Sequence, residues 1–464
     1  MTGIEKGEDN MTLDAYIETL KGRRIAVVGA GVSNLPLIEL LLRRGCSVTV
    51  CDRRNAAELA AVYDSLAGLG ASFSLGEHYI DTLDFDVVFR TPGLHPNLLR
   101  HAVRLDTVVT SEMEAFFAVC PCRTIAITGS DGKTTTSTLI AKLLKAEGYT
   151  VHLGGNIGKP LLCETPQFAP TDVAVLELSS FQLHSMICRP DVAVVTNLSP
   201  NHLDVHPDFA DYANAKKNIF LRQGGENRLV LNLDNPYTAA FAAESRAEVL
   251  WFSRSVQVER GYCFHDGVIY RGTARFVEQS DILLPGLHNV ENYMAAFAAV
   301  DGMVSRAHCQ AVASSFSGVA HRIELVRTLR GVRYYNDSIA SSPTRTIAGL
   351  RSFEQKVILI AGGHDKRVPF DGLAAEIVQR VRALYLTGET AEQIRAAVCA
   401  APGFDPAALP VTVLDGFDET VRAAAQSAEA GDVVILSPAC SSFDRFKNFV
   451  ERGERFRNIV ESLA

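Results

Sequence analysis

At 464 residues the chain is too long for one ordinary hydrophobic core, and its length predicts about two to four domains. Hydrophobic residues at 47% and charged residues at 21% describe a globular chain, and a formal net charge of −8 argues against a nucleic-acid partner, so anionic ligands need local positive sites. Ten scattered cysteines, of which only Cys120 and Cys122 are close, give no zinc spacing, the acidic start MTGIEKGEDN lacks an apolar core, and no stretch reaches the roughly 18 apolar residues of a membrane span, so a cytoplasmic protein in a reducing compartment is expected.

The first α/β unit opens with the strand pattern Arg24-Ile25-Ala26-Val27-Val28 and turns through Gly29-Ala30-Gly31-Val32-Ser33-Asn34. A leucine-rich helix pattern from Leu35 to Arg44 follows, and Ser47-Val48-Thr49-Val50-Cys51 leads to Asp52. This is the order of a dinucleotide-binding βαβ unit, with Asn34 in place of its third glycine. A helix end for a diphosphate remains, with Asp52 placed for a ribose or a base edge. Asp86-Val87-Val88-Phe89 then runs into Arg90-Thr91-Pro92-Gly93, which by itself reads as a plain turn at a strand's carboxyl end.

The second unit, from about Met113, contains Ile127-Thr128-Gly129-Ser130-Asp131-Gly132-Lys133-Thr134-Thr135-Thr136 between a β-branched strand and a helix that ends in Gly148. Unpaired N–H groups and the positive end of a helix dipole favour a phosphate there, Lys133 adds a mobile charge, and Thr134 offers a hydroxyl to Mg²⁺. The loop is shorter than the general triphosphate pattern, which would place glycine at Ile127. Val173-Ala174-Val175-Leu176 leads into Glu177, whose carboxylate at the edge of a buried sheet is expensive unless it meets a cation. Val192-Ala193-Val194-Val195 precedes Asn201-His202-Leu203-Asp204, a pair that fits either local turn bonding or an oxygen-rich Mg²⁺ site. Lys216, in Tyr212-Ala213-Asn214-Ala215-Lys216, reads from its pattern as a helix lysine facing solvent.

The third unit, from about Val319, repeats the plan. Val332-Arg333-Tyr334-Tyr335 precedes Asn336-Asp337-Ser338, Val357-Ile358-Leu359-Ile360 precedes Ala361-Gly362-Gly363-His364-Asp365-Lys366, and Val433-Val434-Ile435-Leu436 precedes Ser437-Pro438-Ala439-Cys440. Every strand ends in a polar loop, which builds a ligand face. The expected fold is α/β in three domains: a Rossmann-like domain over 1–112, a P-loop-type ATPase domain with a mostly parallel sheet over 113–318, and a Rossmann-like domain over 319–464. On the residues alone, an NAD(P)-dependent dehydrogenase and a non-catalytic nucleotide-binding protein stay open beside an ATP-using enzyme.

Three strings carry a family resemblance. Gly129 to Thr134, Glu177-Leu178-Ser179-Ser180-Phe181-Gln182-Leu183, and Ser437 to Phe449 with Glu451-Arg452-Gly453 resemble segments of the Mur ligases, the ATP-dependent amide-forming enzymes of peptidoglycan precursor synthesis. The last string resembles the D-glutamate-adding branch. Gly154-Gly155-Asn156-Ile157-Gly158 and Gly286-Leu287-His288-Asn289 point the same way. The resemblance covers nearly the whole chain, and the family's own ATP loop is short, which accounts for Ile127.

The resemblance implies the substrates UDP-N-acetylmuramoyl-L-alanine, D-glutamate and ATP, use of two Mg²⁺ ions, and a monomer. It assigns Gly31, Val32, Ser33, Asp52 and Arg53 to the UDP end, with Thr91-Pro92-Gly93 as a wall of that site and Asn156 contacting substrate or phosphate. Gly129, Ser130, Asp131, Gly132, Lys133, Thr134 and Thr135 would hold the triphosphate, and Asn292, Arg322 and Asp337 would frame the nucleotide. Thr134, Glu177, His202 and a carbamate formed on Lys216 would bind metal, with Lys133, His202 and Lys216 as the catalytic set. Ser341, Lys366, Ser442, Phe443 and Phe449 would take D-glutamate. Some members carry lysine where this chain has Ile339 after Asp337-Ser338. The implied chemistry passes through an acyl phosphate, with domain closure excluding water.

Overall fold

The computed structural model describes residues 11–200, 205–284, 286–365 and 368–464. Three sheets account for its strands, and their order explains why the polar loops gather. The first holds β1 (Arg24–Val28), β2 (Ser47–Asp52), β3 (Ser72–Leu75), β4 (Val87–Phe89) and β5 (Val108–Thr110), parallel throughout in the order β3-β2-β1-β4-β5. The chain leaves β1 on one side for β2 and later returns on the other for β4, so their carboxyl ends flank a crevice at a topological switch point. Parallel pairing requires cover on both faces, and the near-continuous apolar runs supply it: Ile25, Ala26, Val27 and Val28 are all fully buried.

The second sheet holds β6 (Arg123–Thr128), β7 (Val151–Gly155), β8 (Val173–Glu177), β9 (Val192–Val195), β10 (Arg228–Asn232), β11 (Glu248–Ser253), β12 (Gly261–His265), β13 (Val268–Arg271) and β14 (Ala274–Glu278). Its order is β14-β13-β12-β11-β10-β9-β6-β8-β7, parallel from β7 to β12 and closed by antiparallel β13 and β14. Because β6 lies between β8 and β9, the loops after Thr128, Glu177 and Val195 meet at one end. The helix after β6 runs from Lys133 to Glu147 and stops at Gly148, whose φ of 104° is the left-handed conformation of a helix C-terminus.

The third sheet holds β15 (Glu324–Leu329), β16 (Val332–Asn336), β17 (Val357–Ala361), β18 (Val381–Leu386), β19 (Val411–Val413) and β20 (Val433–Leu436). A β15–β16 hairpin edges a parallel array in the order β15-β16-β20-β17-β18-β19. Period-2 alternation divides its core: Leu359 and Ile435 join one buried cluster, while Ile358, Ile360, Val434 and Leu436 join another.

The chain forms two compact units, one comprising residues up to 281 with Val290–Ala313 and the other Ile282–Asn289 with Ser314–Ala464. Within the first, one buried cluster runs through both sheets, joining Val27 and Val50 to Leu176, Val195 and Phe116. Among the described residues no helix is long and apolar enough to cross a membrane.

Candidate active site

Residues 129–132 make a tight cradle because glycine holds both of its ends. Gly129 (φ 146°) lies where a Cβ would collide with Thr196 Oγ1, and a Cβ on Gly132 (φ 77°) would collide with Asn292 Oδ1. Asn197 fixes the middle, its carbonyl accepting from Ser130 N–H and its Oδ1 from Asp131 N–H, both at 2.9 Å. The first turn of the following helix, with Lys133, Thr134 and Thr135, has N–H groups without intrahelical acceptors. Lys133 Nζ donates to Gly129 O at 3.0 Å and Ser130 O at 2.9 Å, so the cation lies over the cradle. Asn292 reaches the same place, accepting from Thr136 Oγ1 at 3.3 Å.

Glu177 ends β8 beside this loop and is 2% exposed. Its Oε1 accepts from Asn156 Nδ2 at 2.9 Å, while Oε2 is buried with no hydrogen-bond partner. A buried carboxylate oxygen without a donor is costly unless a cation meets it, so the position fits a hard, oxygen-binding ion such as Mg²⁺. Asn156 therefore sits at the Glu177 carboxylate.

Lys216 overturns the solvent-facing reading of its pattern, being 1% exposed. The helix Phe209–Lys217 turns Tyr212, Ala215 and Lys216 inward together, at the i, i+3, i+4 spacing of one face. Lys216 Nζ donates to Gly129 O at 2.9 Å and Thr128 Oγ1 at 3.2 Å, and lies 4.7 Å from the Tyr212 ring centre. Burial, reinforced by the neighbouring Lys133 charge, holds its pKa well below the ordinary lysine value, against the opposing pull of Glu177 and Asp131. His202 and Asp204 lie outside the described residues.

At the first sheet's switch point, Gly31, Val32 and Ser33 form an exposed turn after β1, and Thr91-Pro92-Gly93 follows β4. The turns nearly touch: a Cβ on Gly29 would stand 3.2 Å from Thr91 Cβ. Asn34, the misfit to the dinucleotide pattern, closes the first turn by donating to Val28 O at 3.0 Å and Gly29 O at 3.1 Å. Asp52 is tied into the fold, accepting from Ala30 N–H at 2.8 Å and from Arg54 through its backbone N–H, Nε and Nη2. Burial pushes its pKa up, but these donors win and hold it below the usual carboxylate value. The guanidinium paired with Asp52 is that of Arg54, and Arg53 is exposed beside it.

In the other unit, Asp337, Ser341 and Ser442 follow the carboxyl ends of β16 and β20, and Arg322 precedes β15. Asp337 is buried, accepts from Ser437 Oγ at 2.7 Å, and is pushed up to about 7, chiefly by burial. Phe443 is 67% exposed, whereas Phe449 opens the helix Phe449–Glu461 half-buried against His321. Lys366 lies outside the described residues. Arg452, missed as a site residue, clamps the two loops: its guanidinium donates to Ser338 O and Oγ and to the carbonyls of Cys440 and Ser441, all within 2.9–3.1 Å. Its signal was an arginine on the face that also carries Phe456, Ile459 and Val460.

Two family matches fit this architecture. The Mur ligase middle domain matches residues 127–300, and the Mur ligase, glutamate ligase domain matches 321–440. The chain is 49% identical to the UDP-N-acetylmuramoylalanine–D-glutamate ligase of Acetivibrio thermocellus, over 98% of this chain and 99% of that one. The chain belongs to the Mur ligase family. A further relative with the same name, from Ruminiclostridium cellulolyticum, is 46% identical over 98% of this Mur ligase and 100% of its own length. The crystal structure of the UDP-N-acetylmuramate–alanine ligase of Thermotoga maritima shares the fold with a TM-score of 0.58 at 16% identity, covering 95% of this chain and 99% of that one. The short loop after β6 lies at the start of the middle-domain match, and the ligase uses ATP and Mg²⁺.

The burial of Lys216 has a thermodynamic signature. Between its lowered folded value and the ordinary 10.5, the unfolded chain carries a proton there that the folded chain lacks. Stability therefore rises with pH across that window, by at most about 1.4 kcal/mol per pH unit from this group. Urea unfolding in CO₂-free buffer at several alkaline pH values is expected to show that increment in wild type relative to Lys216→Met.

Proposed function

We propose that this ligase adds D-glutamate to UDP-N-acetylmuramoyl-L-alanine, with ATP converted to ADP and phosphate, in cytoplasmic synthesis of peptidoglycan precursors. The observation that carries the reading is the presence of the phosphate cradle, with Glu177 and Lys216 beside it, in a chain similar along nearly its whole length to enzymes named for D-glutamate addition.

A carboxylate is a poor acceptor for an amine because its oxygen is a bad leaving group. In the proposed route an oxygen of the L-alanyl carboxylate bonds to the γ-phosphorus of ATP as the bond to the β–γ bridging oxygen breaks, releasing ADP and leaving an acyl phosphate. The amine of D-glutamate then attacks the acyl carbon. Phosphate departs with the C–O electron pair and the nitrogen loses its proton. The protein's part is positioning and charge stabilisation. Lys133, which donates to the carbonyls of its own loop, would exchange those bonds for γ-phosphoryl oxygens. The N–H groups at the start of the helix after Gly132 would cradle the phosphates, on a loop whose Ser130 and Asp131 N–H groups are held by Asn197, and Asn292 would border them.

Two Mg²⁺ ions held by Thr134, Glu177, His202 and a carbamate on Lys216 would offset phosphate charge. The desolvated Lys216 amine supports the carbamate. A neutral amine attacks CO₂, forming the N–C bond and releasing a proton, and the anionic product exchanges a lysine donor for oxygen ligands. At the UDP end, the Gly31–Ser33 turn and Thr91–Gly93 form the walls, with Asp52 stiffening the turn and Arg53 exposed beside it. In the second unit, Arg322 and Asp337 are assigned to the nucleotide. Ser341 and Ser442 would donate to D-glutamate carboxylates, Lys366 would supply the charge, and Phe443 and Phe449 the apolar wall. A monomer suffices for this scheme.

Phosphate release from ATP and UDP-N-acetylmuramoyl-L-alanine, measured across an amino-acid panel, is expected to depend on D-glutamate and to reject L-glutamate, whose carboxylates cannot all reach their partners. Equal use of L-alanine or L-glutamate would overturn the assignment. Lys133→Ala should lower kcat by about 10²–10³ at saturating ATP while UDP-substrate binding, read by calorimetry, is retained. Lys216→Ala should lose activity and regain part of it with a short carboxylic acid; full activity without the additive would remove the carbamate from the scheme.

A further inference from the structure

Away from the phosphate cradle, four side chains from four segments converge. His95 lies in the turn after β4, His184 ends the short helix Ser180–Leu183, His206 precedes the helix Phe209–Lys217, and Asp211 lies in that helix's first turn. One ligand atom from each falls within 4.8 Å of all the others. Asp211 is the hub: its carboxylate lies 2.6 Å from His206 Nδ1, 3.0 Å from His184 Nε2 and 3.5 Å from His95 Nε2. Tyr212 stands between this cluster and the cradle, its ring edge on His206 and its hydroxyl 2.9 Å from Ser130 Oγ.

We propose that His95, His184, His206 and Asp211 form a metal site separate from the magnesium carboxylate, one that takes a borderline-soft divalent cation of the Zn²⁺ type. Three imidazoles and one carboxylate suit Zn²⁺, whereas Mg²⁺ requires an oxygen octahedron. Tetrahedral Zn–N and Zn–O bonds of about 2.0–2.1 Å place ligand atoms roughly 3.3 Å apart, so the Asp211 contacts to His206 and His184 lengthen slightly while the wider-spaced donors, all within 4.8 Å, draw in by side-chain rotation. The surroundings are already fixed. The His206 ring is oriented by Ser180 Oγ, 3.0 Å from Nε2, which leaves Nδ1 for the metal. Buried Arg90 holds the backbone next to two ligands, donating to Leu94 O at 3.0 Å and His184 O at 2.8 Å. His95 is the ligand that must give something up: its Nδ1 accepts from Asn97 N–H at 3.2 Å, a bond lost when Nε2 ligates. An open cleft of about 300 Å³, with His184 and Asp211 on its wall, provides the entry path. A cation here would join the turn after β4 to the helix that carries Lys216.

The test uses the full chain, stripped of metal and held in excess Mg²⁺, titrated with Co²⁺ and then Zn²⁺. The expected result is one Co²⁺ per chain with the intense visible bands of a four-coordinate ion, no near-ultraviolet thiolate band, and displacement by one equivalent of Zn²⁺. His184→Ala and His206→Ala should weaken binding by at least about 100-fold, more than loss of an outer hydrogen-bond partner costs, with His95→Ala weakening it least. Glu177→Gln should bind Co²⁺ unchanged. Zn²⁺ should raise the thermal midpoint of wild type and not of His184→Ala. Weak octahedral bands in wild type, or a four-coordinate site that survives His184→Ala and disappears in Glu177→Gln, would overturn the proposal; the wild-type spectrum decides even if a histidine variant fails to fold.

Discussion

A lysine amine in the interior is the constraint around which the loop after β6 and the end of β8 are arranged. Water would stabilise the Lys216 cation far better than the Gly129 carbonyl and Thr128 hydroxyl that it meets. Lys133 donates to the same Gly129 carbonyl, so two amines share one acceptor and the Lys133 charge disfavours charge on Lys216. Glu177 supplies the compensating charge, but one of its oxygens lacks a partner. The result is a site in which a buried carboxylate oxygen is left without a donor from the protein, which favours binding of a metal ion.

Holding that arrangement requires backbones to approach more closely than side chains normally allow. Gly155 has a φ of 95° and lies where a Cβ would collide with the Glu177 carbonyl, and Asn156 N–H donates to that carbonyl at 2.7 Å. Gly129 and Gly132 do the same at the phosphate loop. Strand ends on neighbouring rows of a parallel sheet are thereby drawn into hydrogen-bonding range, and the acidic, amide and hydroxyl groups on them become one site.

Each compact unit also contains a buried guanidinium used as a clamp on carbonyl groups. Arg90 holds the turn after β4 to the segment after Glu177, and Arg452 holds the loop after β16 to the loop after β20. Burial lowers the pKa of both, to about 10 for Arg452. Five fixed N–H donors let one side chain satisfy several carbonyls at once, which a lysine cannot do in the same geometry.

The sequence by itself determined the α/β alternation, the strand-to-turn junctions at Val28, Phe89, Thr128 and Glu177, and the glycine-bounded loop that opens the helix at Lys133, because apolar period and glycine placement are local properties. Strands β12–β14 went unread, since short strands of mixed polarity at a sheet edge have no strong period. Local pattern also gave Lys216 to solvent and did not single out Arg54 as the partner of Asp52. It left Arg90 as part of a plain turn and Arg452 outside the site. Those outcomes belong to tertiary structure: whether a lysine is buried, or which arginine meets a carboxylate, depends on what another segment places against it. His95, His184, His206 and Asp211 show the same dependence, since residues spread over more than a hundred positions acquire a common ligand geometry only when the turn after β4 packs beside the helix Phe209–Lys217.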